Sequence, residues 1–145
     1  MPEKKTLARA RKAKRQGKAP KAQAGAFVHE EIEHIREGKH GARSAKQAIA
    51  IGLSKARRAG VKLKPPKKGT ASASTRKRAK RDVVVGRKKT TARKSPSRAR
   101  ATTRALKREG RAAASPRALS RQARSAARRR KTRTTTTPRR RQKEA

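Results

Sequence analysis

Most of the large apolar side chains in this sequence fall in one stretch, residues 27–63: Phe27, Val28, Ile32, Ile35, Ile49, Ile51, Leu53, Val61 and Leu63. The same stretch carries four of the eight acids, Glu30, Glu31, Glu33 and Glu37. Elsewhere the chain is mainly Lys, Arg, Ala, Ser, Thr, Gly and Pro. Ordering a backbone costs entropy that only buried apolar area offsets, so a packed unit is expected here. The overall hydrophobic fraction of 30% does not widen that expectation, because most of it is Ala, which buries little area. The fold class that follows is mainly α with extensive disorder: a small antiparallel helical hairpin flanked by basic, conditionally helical arms.

Periodicity places the hairpin at residues 20–66. Val28, Ile32 and Ile35 recur at i, i+4 and i+7, which predicts a helix over about 20–37 with one apolar stripe. Gly38 is placed to stop it. Ser44 reads as the N-cap of a second helix over about 45–59, with Ala45, Ala48, Ile49, Leu53 and Ala56 on its inner face. Gly52 would permit close approach of the two helices, and Gly60 reads as the stop residue. Pro65-Pro66 prevents continuation.

The flanks divide by composition. Residues 1–19 form a basic N-terminal arm of good helix formers, with Leu7 as the one large anchor. The expectation there is a solvated arm or a helix induced by phosphate. Residues 67–100 read as a disordered basic linker, with Val83-Val84-Val85 as extended chain. Residues 101–131 echo the central unit: Arg108-Glu109-Gly110-Arg111 resembles Arg36-Glu37-Gly38-Lys39, and Ser115 follows as Ser44 does. A weak second helical pair is expected there, and a disordered basic tail over 132–145.

The formal net charge is +40. Such a chain repels itself and calls for a polyanion. Duplex DNA carries one charge per about 1.7 Å of axis, so this excess matches about 20 base pairs. With neither Trp nor Tyr and one Phe, base stacking is not the expected mode of recognition. Absence of Cys excludes disulfides and thiolate zinc sites and fits a reducing compartment. No apolar run approaches the ~20 residues of a membrane span, so a cytoplasmic setting without membrane contact is expected.

Phosphate contacts are expected from Arg9, Arg11, Lys12, Lys14 and Arg15 in the arm, and from Lys46, Lys55, Arg57 and Arg58 on the second helix. Further clusters are Arg76, Lys77, Arg78, Lys80 and Arg81, then Arg87, Lys88 and Lys89, with Arg98 beyond. Toward the C-terminus come Arg121, Arg124, Arg128, Arg129, Arg130 and Lys131, and finally Arg139, Arg140 and Arg141. Arg offers bidentate contacts to phosphate, whereas Lys acts as a point charge. Ser95-Pro96 and Thr137-Pro138 resemble the S/T-P-x-K/R turns of linker-histone tails. With Ser115-Pro116 they are also candidate phosphorylation sites.

Catalysis is not expected. No Ser-His-Asp set, Gly-rich phosphate loop or carboxylate pair is visible, and Asp82 stands alone among basic residues. Metal ligation and cofactors are not expected either. His29 and His34 are five apart, unlike the four-residue spacing of the HExxH zinc helix, and so diverge around a helix. His40 lies in a Gly turn without an evident acidic partner.

The block REGKHGARSAKQAIAIGLSKARRAGVKL, residues 36–63, resembles a family of small basic bacterial proteins classed as a domain of unknown function. With MPEKKTLARA and HEEIEH the resemblance covers about residues 1–69. It implies a bacterial source and no assigned activity. The tail is similar in composition to those of bacterial histone-like proteins. A nucleoid-associated DNA-binding protein is the leading expectation, with self-association through residues 20–66. RNA or ribosome association is the alternative, and a protein-interaction module with localising basic tails is another.

Overall fold

A computed structural model describes residues 2–88 and 95–135. Among these the chain is mainly helical and has no strand: α1 (Lys4–Arg15), α2 (Pro20–Arg36), α3 (Ala45–Arg58), α4 (Ala73–Lys88), α5 (Pro96–Arg108), a 3-10 turn (Ala112–Ala114) and α6 (Pro116–Thr135). No helix of the described residues is long and apolar enough to cross a membrane.

The first three helices end in the same way. Gly17, Gly38 and Gly60 take φ of 68°, 77° and 89°. At each, the glycine amide and the next amide bond back to the last turn. Gly38 donates to Ile35 O (3.1 Å) and Lys39 to His34 O (2.9 Å); Gly60 donates to Arg57 O and Val61 to Ala56 O. This Schellman arrangement satisfies carbonyls that the helix end orphans, and a residue without Cβ enters it at little cost. Ser44 caps α3 by accepting from the Gln47 amide, and Pro20 opens α2 where its missing N–H is harmless.

α2 packs on α3, and α1 packs on α2. Phe27 and Ala56 share one apolar cluster with Ala10, Ala24, Val61 and Leu63, against which Leu7 and Leu53 lie. Ile35 and Ala48 share a second with Ala42, Ala113 and Ala114, joined by Ile32. An alanine core brings backbones close. A Cβ at Gly52 would stand 2.7 Å from Val28 Cα, so the close approach anticipated at this glycine is present. Phe27 and Ile35 are fully buried and supply about 1.5–3 kcal/mol each.

The flanks depart from expectation. α1 is a docked helix: Leu7, Ala10 and Thr6 face α2, so its helicity has tertiary support without phosphate. The stretch expected as a linker contains α4, which packs along α3. Val83, Val84 and Val85 are helical, not extended. Ser72 Oγ accepts from the Thr75 amide (3.2 Å) to start this helix, and Ala79 and Asp82 are buried against α3. That docking outweighs the β preference of three valines. Residues 89–94 of the expected linker lie outside the described residues.

Residues 101–131 hold the last eight residues of α5, the 3-10 turn and most of α6. Among the described residues α5 and α6 make no contact with each other, and α5 packs on no other helix. What docks is the connection between them. Ala113 and Ala114 fill the second apolar cluster, and α6 touches α3. The echoed segments meet one another: Gly41 N donates to Leu106 O (2.9 Å), Ala42 N to Gly110 O (3.1 Å), and Arg36 Nε to Ala114 O (3.1 Å). Ser95-Pro96 starts α5 and is a helix start, not an extended turn, and Ser115-Pro116 likewise starts α6, because proline at N1 is pre-set for a helix. α6 continues into the expected tail as far as Thr135; Thr137-Pro138 lies outside the described residues.

Candidate nucleic-acid interface

Helix periodicity sorts the cations of α6. Ala118, Leu119, Gln122 and Ala126 are half-buried. The other side is lined by Arg117, Arg121, Arg124 and Arg128, with Ser120 and Ser125 between them. These arginines stand at i, i+4, i+7 and i+11, one stripe of a helix. At 1.5 Å per residue it runs about 16 Å, a length over which duplex DNA presents about ten phosphates. Arg129, Arg130 and Lys131 extend the exposed charge. Arg117 was not singled out by the charge clusters alone; the four-residue step to Arg121 is the signal that reveals it.

The other expected contacts divide into exposed and withdrawn groups. Arg9, Arg11, Lys12, Lys14 and Arg15 are exposed on α1, as are Lys46 on α3 and Arg98 on α5. On α4, Lys77, Arg78, Lys80, Arg81, Arg87 and Lys88 are exposed, whereas Arg76 is half-buried with Nε shielded from solvent. Lys89, Arg139, Arg140 and Arg141 lie outside the described residues.

Three residues expected to meet phosphate are engaged by the fold instead: Lys55 is half-buried, Arg57 is buried, and Arg58 is exposed but ion-paired. Lys55 Nζ lies 2.6 Å from Glu31 Oε2 and 3.6 Å from Glu30 Oε1. Arg58 Nε donates to Asp82 Oδ1. Arg57 is buried, and burial pulls its pKa down from the ordinary arginine value while nearby Asp82 opposes the shift. The reason is common to all three. The last turns of α3 are covered by α2 and α4, and the acids that make this tolerable sit on those covering helices. Asp82 is therefore not isolated.

The acids are concentrated at the opposite kind of surface. Glu3 accepts from His34 Nε2 at 2.9 Å and lies 3.4 Å from Lys39 Nζ. These two partners, His34 first, hold the Glu3 carboxyl below the usual carboxylate range. Lys39 is raised, mainly by its bond with Glu37 at 2.9 Å. Glu31, His34 and His40 converge, each offering a ligand atom within 4.8 Å of the others. His40 Nε2 is 3.3 Å from Glu31 Oε1, so this histidine has the acidic partner that its Gly turn concealed. His29 instead pairs with Glu33 across one helical turn.

No curated protein and no solved structure shows a significant match to this chain. Residues 11–68 match the model of a family of unknown function, DUF6496, a span that takes in the last five residues of α1, all of α2 and α3, and stops short of α4.

Proposed function

We propose that this protein binds DNA without sequence preference, as a nucleoid-associated, histone-like protein that neutralises phosphates. The arginine stripe of α6 carries the reading. It presents four guanidinium groups along one helix edge, in a chain with a net charge of +40. Phosphate contacts supply most of non-specific affinity and carry no sequence information by themselves. The exposed cations of α1, α4 and α5 add to the same field, while Lys55 and Arg58 pair with acids of the neighbouring helices in the unit that carries them. In this reading α2 and α3 are the hairpin that organises the basic arms and supports self-association, and a bacterial nucleoid is the setting.

The test is a binding series on random-sequence duplex DNA at rising salt. Six to ten phosphate contacts weaken affinity by about 10³–10⁵ between 50 and 200 mM salt. A flat dependence, or clear preference for a duplex RNA of equal length, would contradict the reading.

A further inference from the structure

Of the eight acids, Glu30, Glu31, Glu33 and Glu37 lie on α2 or at its C-cap and Glu3, the N-cap of α1, lies beside His34; among the described residues only Lys39 and Lys55 pair with them at full charge. In a chain this cationic, an acid-rich surface with two imidazoles in it attracts a cation. We propose that Glu31, His34 and His40 form a binding site for one divalent transition-metal ion of the zinc class.

The hydrogen bonds of the rings carry the argument. His40 Nδ1 is 3.0 Å from Gly41 O. A carbonyl only accepts, so Nδ1 bears the proton and Nε2 of the neutral ring holds a lone pair. That lone pair faces Glu31 Oε1 at 3.3 Å. Two such atoms approach this closely when a cation lies between them, either a proton that turns His40 into an imidazolium or a metal ion. The distance is also what a tetrahedral ion with bonds of about 2.0–2.1 Å imposes on two of its ligands, about 3.3 Å.

Glu31 is the anchor. Its side chain is 1% exposed, and neither carboxylate oxygen makes a hydrogen bond of good geometry. Lys55 Nζ holds Oε2 at 2.6 Å, which leaves Oε1 directed at the histidines. His34 is oriented from behind: Glu3 accepts from Nε2 at 2.9 Å, so Nδ1 keeps the lone pair. A carboxylate behind a histidine fixes the ring and raises its basicity, the usual outer arrangement at metal sites. The two imidazole rings lie edge to face with centroids 6.2 Å apart. Two imidazoles and a carboxylate, with further positions open to water, suit zinc and its neighbours. The ion would tie the loop after α2 to the helix itself, and through Glu3 to the start of α1. This inference is independent of DNA binding.

The test uses the full-length protein after chelator treatment. Titration with Co²⁺ is expected to give visible absorption of a low-symmetry site, saturating at one equivalent and abolished by one equivalent of Zn²⁺. In the NMR spectrum of the wild-type protein, Zn²⁺ shifts the ring signals of His34 and His40 and leaves those of His29 in place. His40→Gln and Glu31→Gln each weaken binding at least tenfold, and His29→Gln leaves it unchanged. Glu3 is a positioning residue: Glu3→Gln weakens binding less than His40→Gln does. If a variant loses helicity, the wild-type histidine signals decide alone. Absence of saturable binding, equal shifts of all three histidines, or titration of His40 by protons with no response to Zn²⁺ would each overturn the site.

Discussion

Arg58 donates Nε to Asp82 Oδ1 over 2.7 Å, and the bond joins the last turn of α3 to the middle of α4. Ser54 Oγ donates to the other carboxylate oxygen at the same distance. Asp82 is buried, and the buried Arg57 also feels its charge. One carboxylate thus makes it tolerable to cover the cationic end of α3 with another cationic helix. Removing it leaves partly desolvated guanidinium groups unpaired, which costs more than the pair itself contributes. Arg58 is 39% exposed, so screening reduces the penalty. Asp82→Ala is expected to cost about 2 kcal/mol on this basis. Denaturant midpoints measure it, and hydrogen exchange should show α4 released first.

At Gly52 the relationship is steric. A Cβ there meets Val28 Cα at 2.7 Å and Phe27 O at 3.0 Å, both backbone atoms that cannot swing aside. Gly52→Ala should force α2 and α3 apart and cost about 1–3 kcal/mol, despite the better helix propensity of alanine. A thermal melt that rises in this variant would refute the packing.

Gly41 makes a different prediction. An added Cβ would collide with the backbone carbonyl of Glu109, and would lie 2.7 Å from Gly110 O. Gly41→Ala should therefore undock residues 106–114 while leaving the α1–α2–α3 packing in place. Amide protection at Ala42, which donates to Gly110 O, is expected to fall. Protection near Phe27 should not change.

Glu3 and Lys39 set opposite pH edges on the contact between the start of α1 and the loop after α2. The Glu3 pKa is lowered in the folded chain, first by the His34 hydrogen bond. A depressed carboxyl stabilises fully above its unfolded pKa and loses that contribution as pH falls through the folded value. The Lys39 pKa is raised, first by Glu37. Its contribution is full below the unfolded lysine value and is lost as pH rises through the folded one. NMR titration of the Glu3 carboxyl should move back toward the ordinary range in His34→Gln. Both groups are exposed, so global stability should change little.

The stripe on α6 has a quantitative signature. Each neutralised phosphate contributes about 0.9 to the slope of log affinity against log salt. Replacing Arg117, Arg121, Arg124 and Arg128 together with Gln should reduce that slope by between about three and four. An equal number of substitutions among Lys55, Arg57, Arg58 and Arg76 should instead lower stability, since those side chains are partly or wholly engaged inside the fold. Binding curves and melts on both sets separate the two roles.

Local chemistry was legible residue by residue. Ser44 as a cap and Gly38 and Gly60 as stops need only neighbours a few positions away, so sequence alone determined them, together with the mainly helical class and the net charge of +40. The stripe expected on α2 fell partly off its buried face: Phe27 and Glu31 are buried, whereas Val28 and Ile32 are half-buried. What the tertiary structure decided lies between distant segments. Whether Arg57 meets solvent depends on α4, whose docking depends on Asp82; whether His40 has a partner depends on Glu31 from the preceding helix; and whether residues 108–115 pack depends on Gly41. Burial and pairing are relations across the fold, and a cation in a basic run looks the same before folding whether it will face water, a phosphate or a buried carboxylate.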